Sequence, residues 1–201
     1  MLKKGIFGGT FDPIHNGHLH IAMEAINKLE LNKVIFIPSG NPPHKTKNKI
    51  TDGNTRYELV KVAIENNKKL ELSDFEVCNN GLSYTYKTLE HFNCLEPDTE
   101  WYFINGVDCL MDLGYWKNVD KILDLCKFAV FSRSGYDIRR IENQKMAIEK
   151  KYGKKIYYFQ VDLVDISSTE IRNMIKAGQS IERFVPETVY NFIKEAGIYI
   201  I

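Results

Sequence analysis

Short apolar segments recur along the chain, and most of them are separated by stretches with the spacing of an amphipathic helix. They occupy residues 6–7, 34–37, 70–72, 101–104, 128–131 and 156–161. Strands that alternate with helices form a mostly parallel sheet, because each helix carries the chain back to the start of the next strand. Helices then cover both faces of the sheet. The pattern therefore predicts a Rossmann-like, doubly wound α/β fold.

The first predicted helix has the clearest pattern. Its apolar residues recur at the spacing of one helix face: Leu19, Ala22, Met23, Ile26 and Leu29. Two later stretches repeat this spacing and end before Gly178 and Gly197, residues suited to a helix C-cap.

The length and charge of the chain limit its organisation and its partners. A chain of 201 residues can bury a full hydrophobic core. We predict one domain over residues 1–201, with a C-terminal helical part from about residue 166 onward. Because 27 Lys and Arg residues face 26 Asp and Glu residues, the formal net charge is +1. Such a chain has no overall electrostatic field that would attract nucleic acid or an anionic membrane, so any anion must be recognised locally.

The cysteines and the N-terminus indicate a compartment. The four cysteines lie far apart and without C-x-x-C spacing: Cys78, Cys94, Cys109 and Cys126. This usage favours reduced, buried thiols over disulfides or a zinc site. The N-terminus lacks the pattern of a signal peptide, and no segment has the length of a membrane span. We therefore expect a cytoplasmic protein, and the sequence leaves its oligomeric state open.

The segment from Gly8 to Leu19 lies between the first apolar segment and the first helix, and reads Gly-Gly-Thr-Phe-Asp-Pro-Ile-His-Asn-Gly-His-Leu. Gly8 and Gly9 allow the backbone to approach a ligand closely. A helix that begins near Gly17 offers N–H groups and a positive dipole end to an anion. His15 and His18 add side-chain donors at the same place. The segment therefore predicts a site that holds a polyphosphate while charge moves on it.

Two further segments are expected near this loop. Ligands bind at the carboxyl ends of the strands of an open parallel sheet, and residues 106–108 follow the fourth apolar segment at that edge. Near the C-terminus, Ser167 and Glu170 have the spacing of a capping box, which by itself only begins a helix. The same helix start exposes N–H groups beside Ser168 and Thr169, and Arg172, one turn along, can reach phosphate oxygens.

Several other kinds of site are excluded or disfavoured by the sequence. It contains neither a Walker A motif nor G-x-G-x-x-G. His15 and His18 would need two more ligands to hold a metal, and no H-E-x-x-H motif supplies them. His20 and His91 have no comparable context, so we interpret them as surface or packing residues. No Ser-His-Asp or Cys-His set is evident, which favours catalysis by positioning and electrostatics.

Together, the segments 8–19 and 166–172 resemble the signature pair of the nucleotidylyltransferase superfamily, in the right order and each at a strand-to-helix junction. Intervening residues are similar to those of bacterial nicotinate-mononucleotide adenylyltransferases: Pro42, Pro43, His44, Lys45, Arg56, Ser83, Tyr84, Thr85, Thr88, Leu89, Gly106, Asp108 and Trp116. Phe184, Val185 and Pro186 extend the resemblance almost to the C-terminus. The resemblance implies the nucleotidylyltransferase type of fold and transfer of an adenylyl group from ATP to nicotinate mononucleotide.

The resemblance also implies roles for particular residues. It assigns catalysis to His18 and Arg172, supported by His15. It places ATP against these residues: Gly8, Gly9, Thr10, Phe11, His15, His18, Gly106, Asp108, Ser167, Ser168, Thr169 and Arg172. It places the acceptor nucleotide against Lys45, Tyr84, Thr85 and Trp116. Mg²⁺ is expected to arrive on the triphosphate, with no metal ligand from protein side chains. Where relatives often have a second aromatic residue after this tryptophan, the chain has Lys117.

Other functions stay open at this stage. These sequence features distinguish poorly between an enzyme for nicotinate mononucleotide and one for nicotinamide mononucleotide, because a carboxylate and an amide differ by one small group. Residues 42–45, Trp116 and the chain length argue against a phosphopantetheine adenylyltransferase. A non-catalytic nucleotide sensor would be expected to lack His15, His18 or Arg172, and all three are present. The scattered cysteines disfavour a metal-binding or redox protein.

Overall fold

A computed structural model describes residues 1–42, 50–132, 136–162 and 166–200. The described residues form six strands: β1 (Leu2–Gly9), β2 (Lys33–Pro38), β3 (Leu70–Leu72), β4 (Thr99–Gly106), β5 (Lys127–Ser132) and β6 (Ile156–Gln160). They also form eight α-helices: α1 (Asn16–Leu29), α2 (Gly53–Ile64), α3 (Thr85–Leu95), α4 (Val107–Asp112), α5 (Val119–Leu125), α6 (Ile138–Tyr152), α7 (Ser168–Lys176) and α8 (Glu187–Ala196). A short 3₁₀ helix spans Leu113–Tyr115.

The strands form one sheet in the order β3-β2-β1-β4-β5-β6, and every neighbouring pair is parallel. This is the strand order of the doubly wound Rossmann fold, in which the direction of winding reverses between β1 and β4. Each apolar segment noted in the sequence lies largely or wholly in one of these strands. The predicted doubly wound, parallel α/β fold is confirmed.

Helices pack on both faces of the sheet and bury two separate hydrophobic layers. On one face, α1, α2, α7 and α8 contribute the buried side chains of Ile26, Leu59, Ile171 and Val189. On the other face, helices α3, α4, α5 and α6 contribute the buried side chains of Leu89, Leu110, Ile122 and Ile141. Burying a side chain of this size contributes roughly 1.5–3 kcal/mol. Both layers therefore hold the carboxyl ends of the strands, where the candidate site lies, in fixed positions.

The predicted helix features are found where the sequence placed them. In α1, Ala22, Ile26 and Leu29 are buried on one face. Helix α8 ends at Gly197, which has φ +61° as its C-cap. Gly178, two residues beyond α7, has φ +68° and donates its N–H to the carbonyl of Ile175. A glycine adopts such a positive φ without the steric cost that other residues meet.

The cysteine prediction is wrong in part. None of the four cysteines forms a disulfide within the described residues. Cys78 and Cys94, however, are exposed, and Cys109 and Cys126 are only half-buried. Cys78 lies in the loop after β3 and its thiol is bonded to the Asp74 carboxylate, whereas Cys94 lies near the solvent-facing end of α3. In the described part of the chain, no helix is long and apolar enough to cross a membrane.

Candidate active site

A cleft of about 440 Å³ lies at the point where the winding of the sheet reverses. Gly8 and Gly9 at the end of β1, and Asn105 and Gly106 at the end of β4, form its base. Doubly wound sheets bind ligands at this position because the loops after the two central strands diverge there. Every residue expected to contact ATP lines the cleft: Gly8, Gly9, Thr10, Phe11, His15, His18, Gly106, Asp108, Ser167, Ser168, Thr169 and Arg172.

The two signature segments are in direct contact. The Ser168 hydroxyl donates to the carbonyl of Pro13 at 2.9 Å, although 155 residues separate them. Arg172 donates from one terminal nitrogen to the carbonyl of Asp12 at 2.6 Å and from the other to the Thr169 hydroxyl at 3.3 Å. Helix α7 begins at the predicted capping box. A guanidinium group and the start of a helix therefore share one wall of the cleft, and both attract phosphate.

His15 and His18 lie at the start of α1 with their rings stacked, the centroids 3.7 Å apart. The backbone N–H of His15 donates to Nδ1 of His18 at 3.3 Å. A neutral imidazole that accepts at Nδ1 carries its proton on Nε2. His18, which lines the cleft, therefore has an N–H donor on the ring nitrogen opposite the helix cap.

His15 differs from His18 because it is buried, with only 6% of its surface exposed. Burial lowers the pKa of His15 to about 4, and the nearby carboxylate of Glu170 offsets only part of this shift. The ring is therefore neutral near pH 7 and supports its neighbour by stacking rather than by charge.

We expect acid to destabilise the protein through His15. The pKa is 6.5 in the unfolded chain and about 4 in the folded one, so the unfolded chain binds the proton first. This group has no effect on stability above pH 6.5, and stability falls as the pH drops toward 4. The full shift corresponds to a loss of about 3 kcal/mol. Urea unfolding at pH 7 and pH 4.5 measures it.

A matched pair of variants isolates this contribution. His15→Asn removes the buried titratable group and should lose less stability than the wild type between the two pH values. His20→Asn changes an exposed histidine of the same helix and should follow the wild type. Equal acid sensitivity in the wild type and in His15→Asn would contradict the prediction.

Arg56 connects the loops that follow β1 and β2. The residue is 1% exposed, and its guanidinium donates to the carbonyls of Thr51, Thr10 and Ser39 at 2.8, 2.7 and 2.6 Å. Burial lowers the pKa of Arg56, and the carboxylate of Asp12 acts in the opposite direction. Arg56 therefore holds the Thr10 end of the cleft in place by donating to the carbonyl oxygen of Thr10.

Replacing Arg56 with methionine should destabilise the protein. Methionine fills part of the volume but leaves three partly buried carbonyl groups without this donor. An unsatisfied acceptor costs roughly 1–3 kcal/mol. We expect the free energy of unfolding to fall by about 3 kcal/mol, since some of these groups regain partners. Urea denaturation checks it, with Arg139→Met at an exposed position of α6 as the control. An unchanged unfolding midpoint would show that Arg56 does not hold these loops together.

Gly9 has a packing role that the sequence did not indicate. A Cβ atom at Gly9 would lie 2.8 Å from the ring of Phe11. That ring packs edge-on against His18 with the centroids 5.0 Å apart. The absence of a side chain at Gly9 therefore makes room for Phe11, whereas close approach of a ligand to Gly8 and Gly9 stays a prediction.

Three of the residues expected to contact the acceptor, Tyr84, Thr85 and Trp116, are described by the structure and are not part of the cleft lining. Trp116 is half-buried and packs edge-on against Phe103, whose ring also lies 3.4 Å from the position of a Cβ on Gly8. Tyr84 lies at the start of α3, directly before Thr85, and its ring carries the ammonium of Lys117 at 4.8 Å. Lys45 lies outside the described residues. Tyr84 and residues 116–117 therefore form a separate group beside the cleft.

Sequence reasoning missed three polar residues of the cleft, namely Asp12, Asn105 and Tyr136. Asp12 belongs to the first signature segment but was given no role. Asn105 is a buried polar residue at the end of an apolar strand, and this position in the sequence could have indicated a cleft residue. Tyr136 has no feature in the sequence that distinguishes it. His20 and His91 do not line the cleft, consistent with their interpretation as surface or packing residues.

No metal centre is evident in residues 1–42, 50–132, 136–162 and 166–200. Nowhere in these ranges do three His, Cys, Asp or Glu side chains come close enough to hold a metal ion. His15 and His18 therefore gain no third protein ligand from this part of the chain. The donors of the cleft, namely imidazole, guanidinium and helix N–H groups, suit anions.

Residues 6–174 match the sequence model of a family described as cytidylyltransferase-like. The chain belongs to this family. Among the curated members, the probable nicotinate-nucleotide adenylyltransferase of Clostridium novyi (strain NT) is 59% identical over 199 residues, which are 99% of this chain and 100% of that protein. The corresponding protein of Clostridium tetani (strain Massachusetts / E88) is 55% identical over the same shares of both chains. The resemblance stated from the motifs is confirmed.

A solved structure agrees with this chain in fold. The nicotinic acid mononucleotide adenylyltransferase of Plasmodium falciparum, complexed with NaAD, superimposes with a TM-score of 0.78 at 19% sequence identity. The match covers 99% of this chain and 98% of that one. At this identity, the comparison shows a common fold alone.

Proposed function

We propose that this protein transfers the adenylyl group of ATP to nicotinate mononucleotide, giving nicotinate adenine dinucleotide and pyrophosphate in NAD biosynthesis. One observation carries the proposal: His18 and Arg172, from opposite ends of the chain, line one cleft at the switch point of the sheet. Full-length relatives that are 55–59% identical and are named for this activity support it.

The reaction requires two anions to be brought together. An oxygen of the acceptor 5′-phosphate attacks the α-phosphorus of ATP in line, and the bond to the β-phosphate oxygen breaks as pyrophosphate leaves. No covalent intermediate with the protein is needed, so catalysis depends on positioning and on neutralising charge. We assign the Nε2–H donor of His18 and the guanidinium of Arg172 to the phosphates at the reacting centre.

The remaining residues of the cleft bind the rest of ATP in this proposal. Thr10 and His15 support the phosphates, and Gly106 and Asp108 face the ribose. The helix start at Ser167, Ser168 and Thr169 adds backbone donors. The acceptor is assigned to Lys45, Tyr84, Thr85 and Trp116.

Mg²⁺ enters as part of the substrate MgATP. A hard cation prefers oxygen ligands, and the triphosphate supplies them. We propose no metal ligand from protein side chains. The two nucleotides are the only partners proposed, without nucleic acid or membrane. Cysteines outside disulfides fit a reducing compartment such as the cytoplasm, where we place the protein.

A product analysis tests the proposed function. The protein is incubated with MgATP in three separate reactions, each containing one acceptor: nicotinate mononucleotide, nicotinamide mononucleotide or phosphopantetheine. The products are identified by mass spectrometry. We expect the dinucleotide of nicotinate to form fastest. Faster adenylylation of nicotinamide mononucleotide would change the acceptor, and adenylylation of none of the three would overturn the proposal.

A further inference from the structure

The C-terminal segment contacts a residue of the cleft through the side chain of Tyr199. After α8, the chain turns at Gly197, and Tyr199 follows with φ +68°. A tyrosine rarely adopts this left-handed conformation, because its Cβ meets the backbone. The hydroxyl of Tyr199 donates to Oδ1 of Asp12 at 2.7 Å, across 187 residues of sequence. The side-chain contacts of Tyr199 therefore maintain a backbone conformation that is locally unfavourable.

Asp12 is the residue that connects Tyr199 to the cleft. It is 5% exposed, and its Oδ2 accepts a long hydrogen bond of 3.5 Å from the backbone N–H of Thr51. A carboxylate this buried needs hydrogen-bond donors, because its desolvation is costly. Burial, together with the bond to Asp12, raises the pKa of Tyr199, so the phenol stays a donor.

The same aspartate holds Arg172. The carbonyl oxygen of Asp12 accepts a hydrogen bond of 2.6 Å from Arg172, while Oδ2 lies 4.0 Å from the same nitrogen. The carboxylate is thus near Arg172 without being directly bonded to it. At this distance, a small rotation of the carboxylate would form a closer ion pair, which would compete with a phosphate for the guanidinium.

We propose that Tyr199 is a positioning residue for the nucleotide site: its hydroxyl fixes the Asp12 carboxylate, so that Arg172 stays anchored to the Asp12 carbonyl and available to the phosphates of ATP. The inference rests on the proposed function, because it assigns the phosphates to Arg172. It adds the C-terminal segment, which is not itself part of the cleft lining, to the residues that shape the nucleotide site.

Tyr199→Phe tests the proposal because phenylalanine keeps the ring and removes only the hydroxyl. We expect kcat/KM for MgATP to fall about tenfold, the scale of one hydrogen bond to a charged group. The KM for the acceptor nucleotide should change less than about twofold, since the proposal places the effect of Tyr199 on the ATP phosphates, through Asp12 and Arg172. Tyr190→Phe is the matched control, because Tyr190 lies on α8 with its hydroxyl bonded to Glu182. We expect wild-type kinetics from this control.

A double-mutant cycle separates positioning from a general structural role. In an Arg172→Ala background, Tyr199→Phe should have no further effect on MgATP binding measured by calorimetry. The same fold loss in both backgrounds would overturn the proposal, as would wild-type kinetics in Tyr199→Phe. Thermal unfolding of each variant shows whether a loss of binding follows from a loss of fold.

Calorimetry also keeps this inference distinct from the proposed function. If the wild type binds MgATP but adenylylates no pyridine nucleotide, the proposed function fails while the coupling between Tyr199 and Arg172 is still measured. If turnover is normal but the cycle shows no coupling, only the inference about Tyr199 fails.

Discussion

Replacing His18 with alanine is expected to lower kcat for adenylyl transfer by about 10²–10³-fold, the scale for removing one preorganised donor from a developing charge. His18 accepts at Nδ1 from the N–H of His15, which leaves Nε2–H as a donor fixed before substrate arrives. A preorganised donor contributes mainly in the transition state, so kcat should fall more than KM for MgATP rises. Steady-state kinetics with varied MgATP measures both constants.

Two further variants of α1 sharpen this test. His18→Gln keeps an N–H donor on a side chain of similar reach, so it should retain more activity than His18→Ala. His20→Ala changes an exposed histidine of the same helix and should leave kcat unchanged. Thermal unfolding accompanies each variant, because His18 also takes part in the N-terminal cap of the helix. A near-normal kcat in folded His18→Ala would remove this residue from the reacting centre.

The strands could be predicted because fully buried parallel strands are short and almost continuously apolar. Segment 34–37 lies within β2 and segment 101–104 within β4 for this reason. The ends of β1 could not be predicted in the same way, since Leu2–Lys4 and Gly8–Gly9 are not an apolar run. They become strand because Lys4 pairs with Lys33 and Gly9 with Pro38. Strand ends depend on neighbours that are distant in sequence.

The candidate site was predictable where each of its segments carries a local pattern. The segment 8–19 contains a glycine pair, two histidines and a helix start in one continuous stretch, and most of it lines the cleft. The contacts of Arg56 with Thr10, and of Tyr199 with Asp12, join residues far apart in the chain. An arginine within a helix and a tyrosine near a C-terminus have no local pattern that indicates such contacts.

For Arg172→Ala, we expect kcat/KM for MgATP to fall by about 10³-fold, the lower range for removing an arginine that stabilises charge in phosphoryl transfer. The alanine variant loses the only guanidinium among the residues that line the described cleft. Because the loss concerns ATP, KM for the acceptor nucleotide should stay within about twofold of the wild type. Initial rates over a grid of both substrates separate the two effects.

The lysine variant distinguishes charge from geometry at this position. Arg172→Lys keeps a positive charge, but it cannot bond both the Asp12 carbonyl and the Thr169 hydroxyl as the guanidinium does. We therefore expect it to recover only part of the lost kcat/KM, between the alanine variant and the wild type. Lys176→Ala removes an exposed cation from the same helix and should behave as the wild type. If the rate of Arg172→Ala depended on the MgATP concentration as in the wild type, the phosphates would bind elsewhere. Solvent and salt screen more distant charges, so such charges would not replace a direct contact between Arg172 and the phosphates.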